Sequence, residues 1–249
     1  MKDQKPQNIY DNEVFYDGYT KGRLDEGSPN KNEEEPAILS LLPSIKGKSI
    51  LDLGCGKGEY CQKFIKMGAM KVTGVDISNK MLETARQQVK NVEFIRSDIG
   101  DLSFIKEKFD IVFSSMAVHY IEDFNNMCKQ IFHTLNDNGH FVFSTENPLQ
   151  LAPLKGSSWT KDENDKKLHF NLSHYALEGK REMTWFVDGV IKYHRMTSTI
   201  VNTLIYNGFT IEKILEPTAS AAAVKKFPKL ADAVHKPHFL LVKAKKPKS

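Results

Sequence analysis

The run Ile50-Leu51-Asp52-Leu53-Gly54-Cys55-Gly56-Lys57-Gly58-Glu59 places a carboxylate at the end of an apolar strand and alternates glycines behind it. Glycine has no Cβ, so such a loop brings bare backbone N–H groups close to a ligand just before a helix starts. Eighteen residues past Gly58 a second apolar strand, 72–75, ends at Asp76, and twenty-two residues later Asp98 follows a third, 92–95. Glycine, acid and acid at three successive strand ends describe a nucleoside site at the carboxyl edge of an open α/β sheet. Asp76 is placed to accept from both ribose hydroxyls. Asp98 suits an exocyclic adenine amine, the Ile99 backbone N–H a ring nitrogen, and Ile77 and Met81 the ring faces. Asp52 and Glu59 at the loop would repel a pyrophosphate but attract an ammonium or sulfonium. A dinucleotide would use the same first elements, but its G-x-G-x-x-G spacing is absent, because position 59 is Glu. The missing G-K-[ST] ending excludes a P-loop.

These residues need strands and helices in strict alternation to hold them. Strands are expected at 49–53, 71–75, 92–95, 109–113 and 140–144, with helices at 33–42, 58–67, 79–89, 101–107 and 122–135. Phe124, Met127, Cys128, Ile131 and Leu135 mark one apolar face of the last of these helices. A helix at 199–206 and strands at 210–215 and 239–244 complete seven strands. The long link before the final strand leaves room for it to insert antiparallel between its neighbours. Residues 150–195 interrupt the repeat: 150–180 read as charged and irregular, and Asp188-Gly189 reads as the turn of a hairpin. This insertion carries Trp159, Phe170, Tyr175, Trp185, Phe186 and Tyr193, and is expected to form a mobile cap, with 155–168 its most mobile part. Residues 1–31, with Tyr10, Phe15, Tyr16 and Tyr19, read as an arm packed on the domain, since free tails are poorer in aromatics.

At 249 residues the chain suits a single domain with an elaboration. No apolar run approaches a membrane span, and Met1–Pro6 leads into no apolar segment, so a cytoplasmic protein is expected. The net charge of +4 misleads as a nucleic-acid signal, because residues 225–249 hold eight lysines against one acid, Asp232. The body is weakly acidic and lacks a broad basic face, so nucleic acid is not the expected partner. Cys55, Cys61 and Cys128 show no C-x-x-C pair, and His169, His174 and His194 lack metal-ligand spacing, so no metal is expected.

With motif Leu51-Asp52-Leu53-Gly54-Cys55-Gly56-Lys57-Gly58 and both acids in register, the chain resembles the class I S-adenosylmethionine-dependent methyltransferases, strongly over 33–147 and more loosely over 199–244. The resemblance implies a Rossmann-like three-layer α/β sandwich whose mostly parallel seven-stranded sheet has its last strand antiparallel. It implies S-adenosylmethionine as cofactor: Gly54 and Gly56 against its methionine and ribose parts, Asp52 near its amino group, Asp76 on the ribose and Asp98 on the adenine. Tyr19 and Arg23 of the arm would cover it, Arg23 meeting its carboxylate, and Ser114 would lie beside it after the fourth strand. That segment reads Ser114-Ser115-Met116-Ala117 and lacks the Asn/Asp-Pro-Pro-aromatic sequence of nucleobase amino-methyltransferases. The expected reaction is methyl transfer to oxygen or nitrogen of a small molecule, by a monomer or homodimer. An RNA or protein methyltransferase and a non-catalytic cofactor-binding scaffold are the alternatives. His119 is the candidate base, its unperturbed pKa suiting the role. Tyr120, Tyr175, Trp185, Tyr193 and His194, with His119, are the candidate acceptor contacts.

Overall fold

The computed structural model describes residues 6–155 and 159–248. A seven-stranded sheet forms the middle layer, ordered β10-β11-β5-β4-β1-β2-β3. Its strands are β1 (Ser49–Leu53), β2 (Lys71–Asp76), β3 (Glu93–Arg96), β4 (Phe109–Ser114), β5 (Leu135–Glu146), β10 (Thr210–Leu215) and β11 (Phe239–Lys245). The first five run parallel, and β11 lies antiparallel between β5 and β10. The expected insertion of the last strand is therefore present. The link before it, too long for a hairpin, holds α8 (Ala221–Lys226) and a 3-10 turn at Pro228–Val234.

Helices cover both faces, so the central strands are buried throughout. Alternation then sorts residues by face. Leu51, Leu53, Val112, Phe141 and Phe143 join one core with Met127 and Ile131 of α5 (Phe124–Thr134) and Leu204 of α7 (Thr197–Tyr206). Ile50, Ile111, Phe113 and Val142 join the other, with Ile38 of α2 (Glu35–Leu41) and Phe64 of α3 (Glu59–Lys66). Side chains cap the helix starts: the Met81 N–H donates to Ser78 Oγ at α4 (Asn79–Gln88), and the Asn126 N–H to Asp123 Oδ1 at α5. Among the described residues no helix is long and apolar enough to cross a membrane.

Three local expectations change. Residues 101–107 form turns and no helix: the Leu102 N–H donates to the Gln130 side chain, and the Ile105 N–H turns back to Leu102. The stretch read as irregular contains a small hairpin, β6 (Trp159–Lys161) and β7 (Lys167–Phe170), whose turn is held by Asp162 Oδ1 accepting the Asn164 and Lys166 N–H groups. The 155–168 stretch lies partly outside the described residues. The second hairpin, β8 (Gly179–Trp185) and β9 (Val187–His194), reverses at Phe186, with φ +60°, while Asp188 and Gly189 fall inside an irregular start of β9.

The N-terminal arm folds as α1 (Glu13–Leu24) and packs on the carboxyl edge of the sheet. Asp11 accepts from the Ser78 hydroxyl and the Lys80 N–H, so it holds the arm to the start of α4. Gln7 exchanges two hydrogen bonds with the backbone of Ile191 and so clasps β9.

Candidate functional site

Two adjoining cavities open along the carboxyl ends of the parallel strands. Gly54, Gly56, Tyr10, Tyr19, Ser115, Met116 and Tyr120 border both. The smaller, about 350 Å3, is lined by Asp76, Ile77, Met81, Asp98 and Ile99. The larger, about 830 Å3, is lined by Asp52, Arg23, His119, Glu146, Trp185, Lys192 and His238.

Glycine is required where the cavities meet. Gly54 has φ +77°, and a Cβ there would stand 2.4 Å from the Ala117 Cβ. Gly56 has φ +52°, and a Cβ on it would meet no protein atom within 4 Å. Its N–H donates to Asp76 Oδ2 at 2.9 Å, and the Ser78 N–H donates to Oδ1 at the same distance. Each Asp76 oxygen thus accepts one backbone donor and keeps a lone pair for a diol. Burial pushes the Asp76 carboxyl above its usual range, although both N–H bonds favour the charged form. Asp98 Oδ1 accepts the Gly100 N–H at 3.0 Å, and Asp98 faces the same cavity.

Asp52 is 1 % exposed, and its Oδ2 accepts from the Cys61 thiol at 3.2 Å. Burial, with a smaller contribution from the nearby Asp76, raises its pKa to about 7. An unpaired carboxylate there is costly, and a cationic ligand group would relieve the cost. Arg23, from the arm, reaches the cavity and donates to Glu59 at 2.8 Å. Tyr19 is packed edge-on to Tyr10 at 5.1 Å, and the Tyr10 and Tyr120 hydroxyls meet at 3.1 Å.

His119 stands at the rim after β4 but is not arranged as a base. Its Nδ1 accepts the Glu146 N–H at 3.5 Å and lies 3.4 Å from the Thr145 hydroxyl. A backbone N–H can only donate, so the neutral ring carries its proton on Nε2. Burial lowers its pKa to about 3, partly offset by Glu146. Both features favour His119 as a donor from Nε2 over the base expected from the sequence.

Other placements also differ. Ser114 is fully buried and donates to the Leu53 carbonyl at 2.8 Å, so it ties β4 to β1, and its neighbour Ser115 faces the cavities instead. Tyr175 and His194 border neither cavity. The Tyr175 hydroxyl bonds the Thr197 side chain, and His194 Nε2 the Tyr175 carbonyl, at the base of the second hairpin. Tyr193 lines the smaller cavity, beside Asp98. Trp185 lines the larger one, with the Lys192 ammonium 4.4 Å above its ring. The Trp159–Phe170 pair packs at 5.5 Å in its own hairpin.

Sequence reasoning missed Tyr10, Glu146, Lys192, Glu33 and His238. Glu146 and Lys192 form an ion pair inside the larger cavity. Glu146 ends the fifth strand, and that position was a usable signal. His238 immediately precedes an antiparallel last strand and so also falls at the carboxyl edge. Among the described residues no group of three or more His, Cys, Asp or Glu side chains gathers as a metal site.

Residues 44–207 match the family described as the methyltransferase domain. The chain is 38% identical over 246 residues to an uncharacterised protein of Haemophilus influenzae, covering 96% of each. It is similar to the crystal structure of an S-adenosylmethionine dependent methyltransferase from Mesorhizobium loti, with TM-score 0.80 and 36% identity, over 88% of this chain and 99% of that one. It is 28% identical over 144 residues to a malonyl-[acyl-carrier protein] O-methyltransferase of Enterobacter lignolyticus, covering 57% of this chain and only 56% of that relative.

Proposed function

The chain belongs to the S-adenosylmethionine-dependent methyltransferase family, and from that premise we propose that it methylates oxygen or nitrogen of a small-molecule acceptor. The cofactor supplies an electrophilic methyl on a sulfonium. Asp76 would accept from its ribose hydroxyls and Asp98 from its adenine amine, with Ile77 and Met81 against the ring faces and the Ile99 N–H toward a ring nitrogen. Gly54 and Gly56 would give its methionine part room, Asp52 would face its ammonium, and Tyr19 and Arg23 would close over it. The buried Asp52 and the open space at Gly56 fit a cationic amino-acid nucleoside better than a pyrophosphate.

The acceptor end carries the small-molecule reading. The larger cavity is roofed by Trp185 and Phe186 of the second hairpin and by the arm, and four of its charged groups are paired, Glu146 with Lys192 and Arg23 with Glu59. A cavity roofed by aromatic rings restricts water at the transfer and suits a compact acceptor better than a polymer backbone. His119 Nε2–H and Tyr120 are suited to donate to the acceptor and orient it. Positioning of this kind supplies much of the rate gain in a displacement reaction.

Methyl-labelled S-adenosylmethionine incubated with the protein and a cell extract tests this, with the products separated by size. Label in the small-molecule fraction is the expected result. Label confined to RNA or protein would overturn the acceptor class, and label on carrier-linked acyl groups would align the chain with its O-methyltransferase relative.

A further inference from the structure

His238 is the one histidine of the larger cavity with a buried carboxylate behind it. Its Nδ1 lies 2.8 Å from Glu33 Oε2, and Glu33 is 1 % exposed. Glu33 comes from the π-helical turn Asn30–Glu34 that leads into α2, so the pair joins positions 205 apart in sequence. A carboxylate oxygen can only accept from the ring, which places the imidazole proton on Nδ1 and leaves a lone pair on Nε2. Nε2 has no hydrogen-bond partner among the described residues, and the ring lines the cavity that runs back to Asp52 and Gly54. His119 is the complementary case, with its lone pair engaged and its Nε2 a donor.

The other Glu33 oxygen, Oε1, is buried without a hydrogen-bond partner. Buried carboxylate oxygens are seldom left in that state, because the desolvation cost is not returned. An imidazolium at His238 would balance that charge. A carboxylate that orients a histidine and stabilises its protonated form is the recurring arrangement behind a general base.

We propose that His238, oriented by Glu33, is the general base that removes the acceptor's proton during methyl transfer. This inference rests on the proposed methyl transfer to oxygen or nitrogen. As the acceptor lone pair forms its bond to the methyl carbon, the carbon–sulfur electron pair remains on sulfur. The acceptor's hydroxyl or ammonium-derived proton passes to His238 Nε2, and the imidazolium later releases it to water. The other charged groups lining that cavity are Asp52, Lys57 and the Glu146–Lys192 and Arg23–Glu59 pairs, and Lys236 stands two residues before His238 in sequence.

Long-range proton–nitrogen NMR of the full-length protein with S-adenosylhomocysteine reads the tautomer without any acceptor. His238 should carry its proton on Nδ1 and His119 on Nε2. His238 protonated on Nε2 would overturn the proposal. His238→Asn retains an amide donor toward Glu33 but has no base. It should keep S-adenosylhomocysteine affinity within about twofold and lower labelled methyl transfer about 100-fold. Wild-type transfer rates in that variant would sink the base assignment alone. Failure of the unaltered protein to transfer label to any hydroxyl or amine would instead remove the underlying reading.

Discussion

In the role proposed for it, Asp52 should couple cofactor binding to pH. Its carboxyl titrates at about 7 in the empty protein because burial disfavours the charged form. A cofactor ammonium or sulfonium favours the ionised carboxylate, so binding below that pH must release a proton. Affinity for S-adenosylmethionine should therefore rise between pH 6 and 8. Calorimetry in buffers of different ionisation heat should show proton release at pH 6 that vanishes by pH 8. Asp52→Asn should remove the pH dependence and weaken binding at pH 8. At Asp76, the Gly56 and Ser78 N–H bonds fix the carboxylate in the orientation proposed for the ribose contact. Asp76→Ala should weaken S-adenosylhomocysteine binding by about 1–3 kcal/mol through loss of charged hydrogen bonds. No response of affinity to that change would show that the diol is held elsewhere.

At the scale of elements, α1 and the β8–β9 hairpin close the site as a joined pair. Phe15 meets Trp185 edge-on at 5.2 Å, and a Cβ on Gly18 would lie 2.6 Å from the Phe186 ring. The glycine is there to let the hairpin tip lie flat on the helix. Gly18→Ala should force Phe186 away at a cost of about 1–3 kcal/mol, the range for overpacked contacts. Amide exchange should then accelerate together in residues 13–24 and 179–194, and S-adenosylhomocysteine should bind more weakly. In the unaltered protein, cofactor product plus acceptor should protect both segments in concert. Equal protection of the hairpin in the free protein would make it a fixed wall, with Trp185 a core residue first.

Over the whole molecule, two buried groups oppose each other in the pH dependence of stability. His119 has its pKa lowered to about 3, so unfolded chains bind more protons below its ordinary value of 6.5, and its stabilising contribution is lost as pH falls through that window. Asp52 is raised from 3.8 to about 7, so its contribution is full below pH 4 and is lost as pH rises toward 7. Between pH 4 and 6.5 the two slopes have opposite sign. Asp52→Asn should remove one of the contributions opposing His119 and steepen the loss of stability on acidification by up to about 1 kcal/mol per pH unit. Thermal melting from pH 4 to 6.5 checks this: the melting temperature of Asp52→Asn should fall on acidification faster than that of the unaltered protein. His119→Asn should shift the balance the other way.

The sheet and the cofactor end were legible in the sequence because they depend on short-range regularities. Period-two apolar alternation sorts Ile50 from Leu51 and Leu53 onto opposite faces, and a strand that ends in glycine or acid carries that residue to the carboxyl edge. Asp52, Gly54, Gly56, Asp76, Ile77, Met81, Asp98 and Ile99 all border the cavities for that reason. The acceptor end was not legible, because its partners meet only after the chain has crossed the sheet. Glu33 reaches His238 across 205 positions, and Lys192 reaches Glu146 across 46. A shift of one residue in strand register exchanges inside for outside, which separates Ser114, buried against Leu53, from Ser115 in the cavity. The sequence places His119 at the carboxyl edge, the fold adds His238, and the tertiary contacts alone decide which ring nitrogen of each holds the proton. His119 meets a backbone N–H and becomes a donor, whereas His238 meets a carboxylate and keeps a free lone pair.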